Sequence, residues 1–458
     1  MGVKMDSTIA AISTAFGEGG IGIIRISGDK AEEILAKIFK TDFKIENRKM
    51  TYGHIVDPQN NQVIDEVLCV LMKGPHTYTK EDVVEINCHG SIVSLRKTLA
   101  LVLKMGARPA ERGEFTKRAF LNGRLDLSQA EAVIDVIRAK TDKTFDVALG
   151  QLDGSLSREI EKIRGKILDL LVSITVNIDY PDEDIEEILY SDMEKEISLI
   201  GDMIAKLTDT ADTGRILSEG LNISIIGKPN VGKSSLMNAL LRETRAIVTE
   251  IPGTTRDTIE ETISIKNIPI RLTDTAGIRN TKDEIERIGI EKSKEAFNRA
   301  DLIIFMLDMS RELSEEDKEI MDIIGQRKAI VLANKIDLET KVDLNQIKNK
   351  IPQGIIIETS MKNNEGINII EEEVEKMVYG GQVSQGESLV VTNVRHNQLL
   401  LESLDALRDA KNMTNLGEAL EFIEIDVKKA YELLGEIIGE TVSEDIINEV
   451  FARFCLGK

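Results

Sequence analysis

Residues Gly227 to Ser234 read GKPNVGKS, a spacing of glycines, lysine and hydroxyl suited to gripping a nucleotide polyphosphate. Gly227 and Gly232 let the backbone turn its N–H groups inward onto phosphate oxygens, and a helix opening after the loop adds its partial positive charge. Within the run Asn230, Val231, Gly232, Lys233, Ser234 and Ser235, the lysine is the catalytic cation for the β- and γ-phosphates and Ser234 offers a hydroxyl to Mg²⁺. One such match can arise by chance, so the remaining nucleotide contacts decide, and they follow in order. Asp274, Thr275, Ala276 and Gly277 form DTAG after the apolar run IRLT, where a carboxylate can reach the Mg²⁺ shell and a glycine amide the γ-phosphate. Between the two motifs Thr249, Glu250, Ile251, Pro252, Gly253, Thr254 and Thr255 form a switch-loop segment, whose last two residues offer a second hydroxyl to Mg²⁺. Asn334, Lys335 and Asp337 form NKID after KAIVLA, and the Asp337 carboxylate can accept two N–H bonds from guanine that adenine does not offer. Ser360, in TSMK, takes the place of the last guanine-binding loop, with Met361 where a small residue is usual. Together these motifs predict GTP binding and hydrolysis.

The residue after the DTAG glycine is Ile278, whereas Ras-like G domains carry a glutamine there to orient the attacking water. Catalysis must therefore be organised differently. Arg256 and Arg279 are candidate arginine fingers, though each reads more readily as a surface or structural residue. Asn230 offers a side-chain oxygen at the phosphates, a suitable ligand for a K⁺ ion that would stand in for the finger, with oxygens of Thr249 to Thr254 completing its shell. Glu284 and Glu286 both lie in a segment from which a carboxylate could position water.

These motifs sit on strand ends and helix starts, which requires a parallel sheet wrapped by helices from about Leu221 to Met377. Before it, Thr8 to about Met105 mixes short strand-like runs (Gly22 to Ile26, Val67 to Met72, Val83 to Asn87) with helices, an α+β pattern. After Asp126 helical spacing takes over: Ser128 and Glu131 have capping-box spacing, and Ile160, Ile163, Ile167, Leu170, Leu171 and Ile174 share a face. Tyr379 to Glu387 reads as a linker, after which helical periodicity resumes. The reading is multidomain: an α+β N-terminal domain (1–120), a discontinuous α-helical domain (121–218 and 381–458), and an inserted Ras-like α/β G domain (219–380) with a parallel sheet and helices on both faces.

A length of 458 residues already exceeds what one hydrophobic core organises. No apolar run of roughly 18 residues suggests a membrane span, and the first residues lack a signal-peptide core, so a cytoplasmic location is expected. Cys69, Cys88 and Cys455 are widely spaced, which suggests reduced thiols rather than disulfides or zinc. The net charge of −21 would repel a phosphate backbone, so any nucleic-acid contact must be local or shared with a partner. Arg108, Arg112, Lys117, Arg118 and Arg124 form the main basic run, yet Glu111 and Glu114 interrupt it, and a solvated surface is an equal reading.

The stretches TIAAISTAFGEGGIGIIRISG, TYTKEDVVEINCHG and GEFTKRAFLNGRLDLSQAEA, with the terminal FCLGK, closely resemble the tRNA-modification GTPases called MnmE or TrmE, and the resemblance runs through the whole chain. It implies that Asn230, Thr249, Ile251 and Thr254 bind K⁺, that Ser234 and Thr255 bind Mg²⁺, and that Glu286 rather than Glu284 orients water. It further implies that Arg25, Glu85, Arg124 and Lys458 contact a tetrahydrofolate one-carbon donor (5-formyl- or 5,10-methylene-tetrahydrofolate), that Cys455 is a catalytic or redox thiol, and that the protein is a homodimer. The implied partner is the flavoprotein MnmG, and the implied substrate is the wobble uridine of certain tRNAs, bound mainly through that partner. The family often has lysine where Arg124 stands, and the two cations differ in geometry. Without the resemblance, Arg25 and Glu85 read as a surface ion pair, His89 as a structural histidine and Cys455 as a small buried hydrophobe. A ribosome-assembly or regulatory GTPase without modification chemistry is the alternative function.

Overall fold

The computed structural model describes residues 7–15, 17–180, 189–243, 260–274, 297–380, 389–455 and 457–458. It divides into two compact units: Met1–Ile137 with Gln151–Gly201 and Glu402–Lys458, and Arg138–Gly150 with Asp202–Leu401.

The first unit is built on a seven-stranded sheet in the order β3-β4-β5-β6-β2-β1-β7. Its strands are β1 (Ile9–Ile12), β2 (Gly19–Ser27), β3 (Phe39–Lys40), β4 (Thr51–Val56), β5 (Val63–Met72), β6 (Val83–Gly90) and β7 (Arg108–Pro109). All pairings are antiparallel except β1 with β7. Helix α1 (Ala31–Ile38) buries Ala31, Ile34, Leu35 and Ile38, the one-face spacing of an amphipathic helix. Helix α2 (Ile92–Lys104) starts where Ser91 Oγ accepts from the Val93 N–H, and the chain leaves it through Gly106 at φ +116°. Both helices pack on Ile24, Ile26, Val84 and Ile86 to close this core.

Helices α3 (Glu114–Leu121), α4 (Leu127–Arg138), α5 (Asp142–Leu152) and α6 (Ser155–Asp179) follow. The start of α4 corrects the sequence reading: its box is formed by Asp126 and Gln129 instead of Ser128 and Glu131. Asp126 Oδ1 accepts from the Gln129 N–H at 2.9 Å, and Gln129 Oε1 accepts from the Asp126 N–H at 3.0 Å. Ser128 lies one residue inside the helix and bonds Asp126 and Ser157 instead. Helix α6 buries Ile160, Ile163, Ile167, Leu170 and Ile174 as its spacing predicts, while Leu171 is half-buried.

Later in the chain come α7 (Tyr190–Thr208), α8 (Ala211–Glu219), β8 (Leu221–Ile226), α9 (Lys233–Glu243), β9 (Glu260–Ile265), β10 (Ile268–Asp274) and β11 (Leu302–Asp308). They are followed by α10 (Glu315–Ile324), β12 (Ala329–Asn334), α11 (Leu344–Lys350), β13 (Ile355–Thr359), α12 (Ile367–Tyr379), α13 (Val394–Leu416), α14 (Leu420–Ile438) and α15 (Glu444–Ala452). Within the first unit α6 packs along α14, where the Arg164 guanidinium lies 4.1 Å from the Tyr431 ring centroid and pairs with Glu440 at 2.6 Å. Helix α15 packs against α3.

The second unit holds a six-stranded sheet, β13-β12-β11-β8-β10-β9, parallel except where β9 meets β10. The runs LIIFMLD and AIVLAN are buried almost throughout, as strands covered on both faces must be. Leu236, Leu240, Ile370 and Val374 of α9 and α12 pack on one face, and Met321, Ile324 and Ile347 of α10 and α11 on the other. Strand β8 lies between β10 and β11, so the sheet order reverses there, and the crevice beyond its carboxyl end is where ligands bind in such sheets. Among the described residues no helix is long and apolar enough to cross a membrane.

Candidate active site

The chain leaves β8 into the loop 227–232, and α9 opens at Lys233, so the strand-loop-helix context of the phosphate motif is present. Gly227 has φ +145°, and a Cβ there would stand 2.6 Å from the Met306 carbonyl oxygen. Gly232 has φ +115°, and a Cβ there would stand 2.5 Å from Asn334 Nδ2. Both positions therefore exclude any other residue, because they combine left-handed backbone with close approach. Lys233 Nζ donates to the carbonyls of Gly227 and Lys228 at 2.6 and 2.8 Å, which holds the ammonium across the mouth of the loop. The loop thus has the glycine cradle, the spanning lysine and the helix start that a triphosphate requires. Asn230 sits exposed at the loop tip with φ +65°.

The loops after β12 and β13, expected from the sequence to bind guanine, meet this cradle. Asn334 Nδ2 donates to the Val231 carbonyl at 2.7 Å, and Asn334 Oδ1 accepts from the Met361 N–H at 3.1 Å. One buried side chain therefore ties the phosphate loop to the loop after β13. Ser360 Oγ donates to Asp337 Oδ1 at 2.9 Å, which orients the carboxylate read as the guanine acceptor. Met361 explains its own departure from the small residue expected there: its side chain enters the core while its N–H serves the loop.

One contributor was not singled out from the sequence. Asp308, at the end of β11, accepts from Lys335 Nζ at 2.7 Å and from Ser310 Oγ at 2.6 Å. Burial pushes the Asp308 carboxyl up, but the bonds from Lys335 and Ser310 outweigh it and hold it below the usual carboxylate range. The signal was an acidic residue closing an otherwise apolar strand. Asp274 ends β10 opposite Ile225 of β8, which brings the DTAG start to the same sheet edge as the phosphate loop. Thr249 to Thr255, Arg256, Thr275 to Gly277, Ile278, Arg279, Glu284 and Glu286 lie outside the described residues.

A second cluster lies in the first unit. Arg25 on β2 and Glu85 on β6 are register partners, and their side chains pair at 2.8 Å, largely buried. The Arg25 guanidinium lies 5.7 Å from the ring centroids of both Tyr78 and Phe115, and that of Arg124 lies 4.7 Å from Tyr78. Tyr78 is fixed by its hydroxyl contact with Thr116 Oγ1 at 2.9 Å. The carboxyl-terminal segment reaches the same region: the Lys458 carbonyl accepts from the Phe115 N–H at 3.2 Å, and Ser13 Oγ donates to the Gly457 carbonyl at 3.1 Å. Gly457 is required there, with φ +85° and the Ile12 carbonyl oxygen 2.2 Å from where a Cβ would be. The four residues named from the resemblance thus belong to neighbouring strands, loops and tail. Cys455 is exposed, unlike the buried Cys69 and Cys88, so it is no core hydrophobe. Burial pushes the Cys88 thiol up to about 11 and Cys69 higher still, which leaves both inert at neutral pH.

The basic run is corrected by its surroundings. Arg118 is buried, with Nη1 on Glu81 Oε1 at 3.0 Å and Nη2 on Glu114 Oε1 at 2.9 Å, and Arg108 donates to Glu114 as well. These arginines hold α3 to the sheet; of the five, Arg112 is exposed, and Lys117 donates to Asn448 at 2.7 Å. Burial raises the Glu114 carboxyl, but Arg108, the Glu111 N–H and Arg118 outweigh it and lower its pKa. A depressed carboxylate contributes stability above its unfolded value of about 4.3 and loses it as pH falls through the folded value. Arg118→Met should therefore cost about 3–5 kcal/mol at pH 7, because the buried Glu114 and the half-buried Glu81 lose a partner. That cost should shrink below about pH 4, as Glu114 protonates; urea unfolding of the whole chain at pH 7 and in acid measures it. His89 Nδ1 and Asp65 Oδ1 are hydrogen-bonded at 2.6 Å, which raises the imidazole, so the residue reads as a structural histidine tying β6 to β5.

A phosphate cradle at the switch point of a parallel sheet, joined through Asn334 to the loops after β12 and β13, marks a GTP-hydrolysing enzyme of the G-domain class. Two family models match, the GTP-binding protein TrmE N-terminus over residues 8–124 and the MnmE helical domain over residues 127–455. The tRNA modification GTPase MnmE of Alkaliphilus oremlandii is 54% identical over 99% of this chain and 100% of its own length. Its counterparts in Alkaliphilus metalliredigens and Clostridioides difficile are 52% and 51% identical over the same shares. The chain belongs to the tRNA modification GTPase MnmE family, with an N-terminal TrmE domain, a helical domain and a G domain.

Proposed function

We propose that this GTPase, located in the cytoplasm and acting as a homodimer with the flavoprotein MnmG, adds a carboxymethylaminomethyl-type group to carbon 5 of the wobble uridine of certain tRNAs. The observation that carries the proposal is the whole-length likeness to proteins named tRNA modification GTPase MnmE, joined to a chain that holds a nucleotide cradle and a separate cationic cluster. Arg25, Glu85, Arg124 and Lys458 would bind a tetrahydrofolate derivative, with the Tyr78 ring offering a flat wall and the two arginines charge for an anionic tail. The folate would supply the methylene carbon, and Cys455, exposed on the same tail, is the thiol within that region.

In the G domain Lys233 and the loop amides hold the phosphates, Ser234 and Thr255 are the hydroxyls for Mg²⁺, and Asp337 selects guanine. Asn230, Thr249, Ile251 and Thr254 would hold K⁺, which supplies positive charge to the transferring phosphoryl group in place of an arginine. Glu286 would orient the water that Ile278 does not. Hydrolysis would drive a conformational change coupled to modification.

Nucleoside analysis of tRNA from cells lacking this chain tests the proposal. The modified wobble nucleoside should disappear and return with the wild-type chain; its persistence would favour a ribosome-assembly or regulatory GTPase instead.

A further inference from the structure

The second residue of the phosphate loop, Lys228, sends its side chain away from the nucleotide cradle to the start of α10. Lys228 Nζ donates to Ser314 Oγ at 2.6 Å and lies 3.5 Å from Asp317 Oδ2. Ser314 and Asp317 are the two halves of the α10 capping box: Ser314 Oγ accepts from the Asp317 N–H at 3.3 Å and Asp317 Oδ2 from the Ser314 N–H at 3.0 Å. Ser314 Oγ also donates to Asp317 Oδ2 at 2.7 Å, so a proton-donor chain runs from Lys228 through Ser314 to the carboxylate.

A cation at a helix amino terminus opposes the helix dipole, so an unguided lysine would turn to solvent. Lys228 instead is only 15% exposed and Asp317 6%, with Glu315 and Glu316 adding negative charge to the same turn. Asn334 also supports the loop, by its bond to the Val231 carbonyl and by an amide so placed that only glycine fits at position 232. Those hold the shoulder nearest α9. The opposite shoulder, Gly227 and Lys228, carries the two carbonyls on which Lys233 rests, and the Lys228 side chain is what fastens it to a rigid helix.

We propose that Lys228, anchored by Ser314 and Asp317, is a positioning residue that pre-organises the phosphate loop and Lys233 for the GTP polyphosphate. It touches neither nucleotide nor reacting atoms. Its contribution is to fix the loop before binding, so that less ordering is required when GTP arrives. The effect should fall on nucleotide affinity and KM more than on turnover at saturation.

The test uses the full-length chain and a fluorescent GDP analogue, with GTP turnover measured in parallel. Lys228→Met should weaken nucleotide binding and raise KM about tenfold, the loss of one charged hydrogen bond, while kcat stays within about twofold. Lys228→Arg should recover most of the affinity, because it keeps a cation within reach. Asp317→Asn and Ser314→Ala should each weaken binding, and Lys228→Met combined with Asp317→Asn should be no worse than Lys228→Met alone. Unchanged affinity in Lys228→Met overturns the proposal, as does full additivity in the double variant. Loss of thermal stability with affinity intact overturns it too, since that would make the contact merely structural. If Lys228→Met does not fold, Lys228→Arg and Ser314→Ala carry the same comparison.

Discussion

Asp337→Asn is expected to lower GTP affinity by two to four orders of magnitude and to let the protein bind and hydrolyse xanthosine triphosphate. The carboxylate is oriented by Ser360 Oγ at 2.9 Å, and the loop carrying it is fixed by the Ile336 N–H on the Thr359 carbonyl at 3.3 Å. A rigid acceptor pair of this kind meets two guanine N–H donors. Each charge-assisted bond contributes about 1.5–3 kcal/mol, so losing both amounts to factors of about 10²–10⁴. An asparagine amide presents an acceptor oxygen to the base N1–H and an NH₂ donor to the carbonyl that xanthine carries where guanine carries its amino group. Sites built on such bonds reject analogues that leave a buried polar group unpaired. Competition between the two triphosphates, measured by turnover, decides the matter. A variant that still prefers GTP would remove Asp337 from base recognition.

Hydrolysis should be faster in K⁺ than in Na⁺ by about a hundredfold or more, because a cation in the role of an arginine finger stands in for a group worth on the order of 10³–10⁵ in rate. Asn230 places the proposed ligand at the exposed tip between two pinned shoulders of the loop. Its φ of +65° complicates the obvious substitution, since alanine there adds backbone strain of about 1–3 kcal/mol. Asn230→Gly removes the oxygen and relieves the backbone at once. Both Asn230→Ala and Asn230→Gly should abolish the difference between the salts. If glycine keeps the K⁺ preference while alanine loses it, the loop conformation rather than the side-chain oxygen is responsible, and equal wild-type rates in both salts would sink the idea.

Much of the G domain was legible because its chemistry is local. GKPNVGKS, NKID and TSMK each join a strand to the next segment, so spacing and residue type carry their position at the strand ends. The alternation of apolar strands and helices likewise foretold a parallel sheet covered on both faces. What escaped depended on contacts between distant segments. Asp308 closes an apolar strand and looks like an ordinary turn residue until Lys335, 27 positions later, is folded onto it. Lys228 looks like a solvated loop lysine until α10 is packed beside it, 86 positions away. Arg118 sits in a run of charges that reads equally as surface, and only the approach of Glu81 from another loop makes it a buried ion-pair centre. The α4 cap was misread for a smaller reason: two overlapping frames, DLSQ and SQAE, both fit a box, and Asp126 outcompetes Ser128 by lying just before the first helical turn. The cationic cluster around Tyr78 depends on β2, β6, the 77–82 loop and the carboxyl-terminal tail, so spacing alone offered only an ion pair.

The three-part make-up of the first unit sets a schedule for biosynthesis. Its first two segments leave the ribosome by residue 201, while the third begins at residue 402. At about 5–20 residues per second, the intervening stretch takes roughly 10–40 s to translate. Helix α6 waits at least that long for α14, and the Phe115 N–H longer still for the Lys458 carbonyl, while the second unit's sheet strands have all emerged. The nascent chain therefore carries an uncovered apolar face on α6 through Ile160, Ile163 and Ile167, and chaperone demand during synthesis should peak there rather than at the nucleotide-binding core.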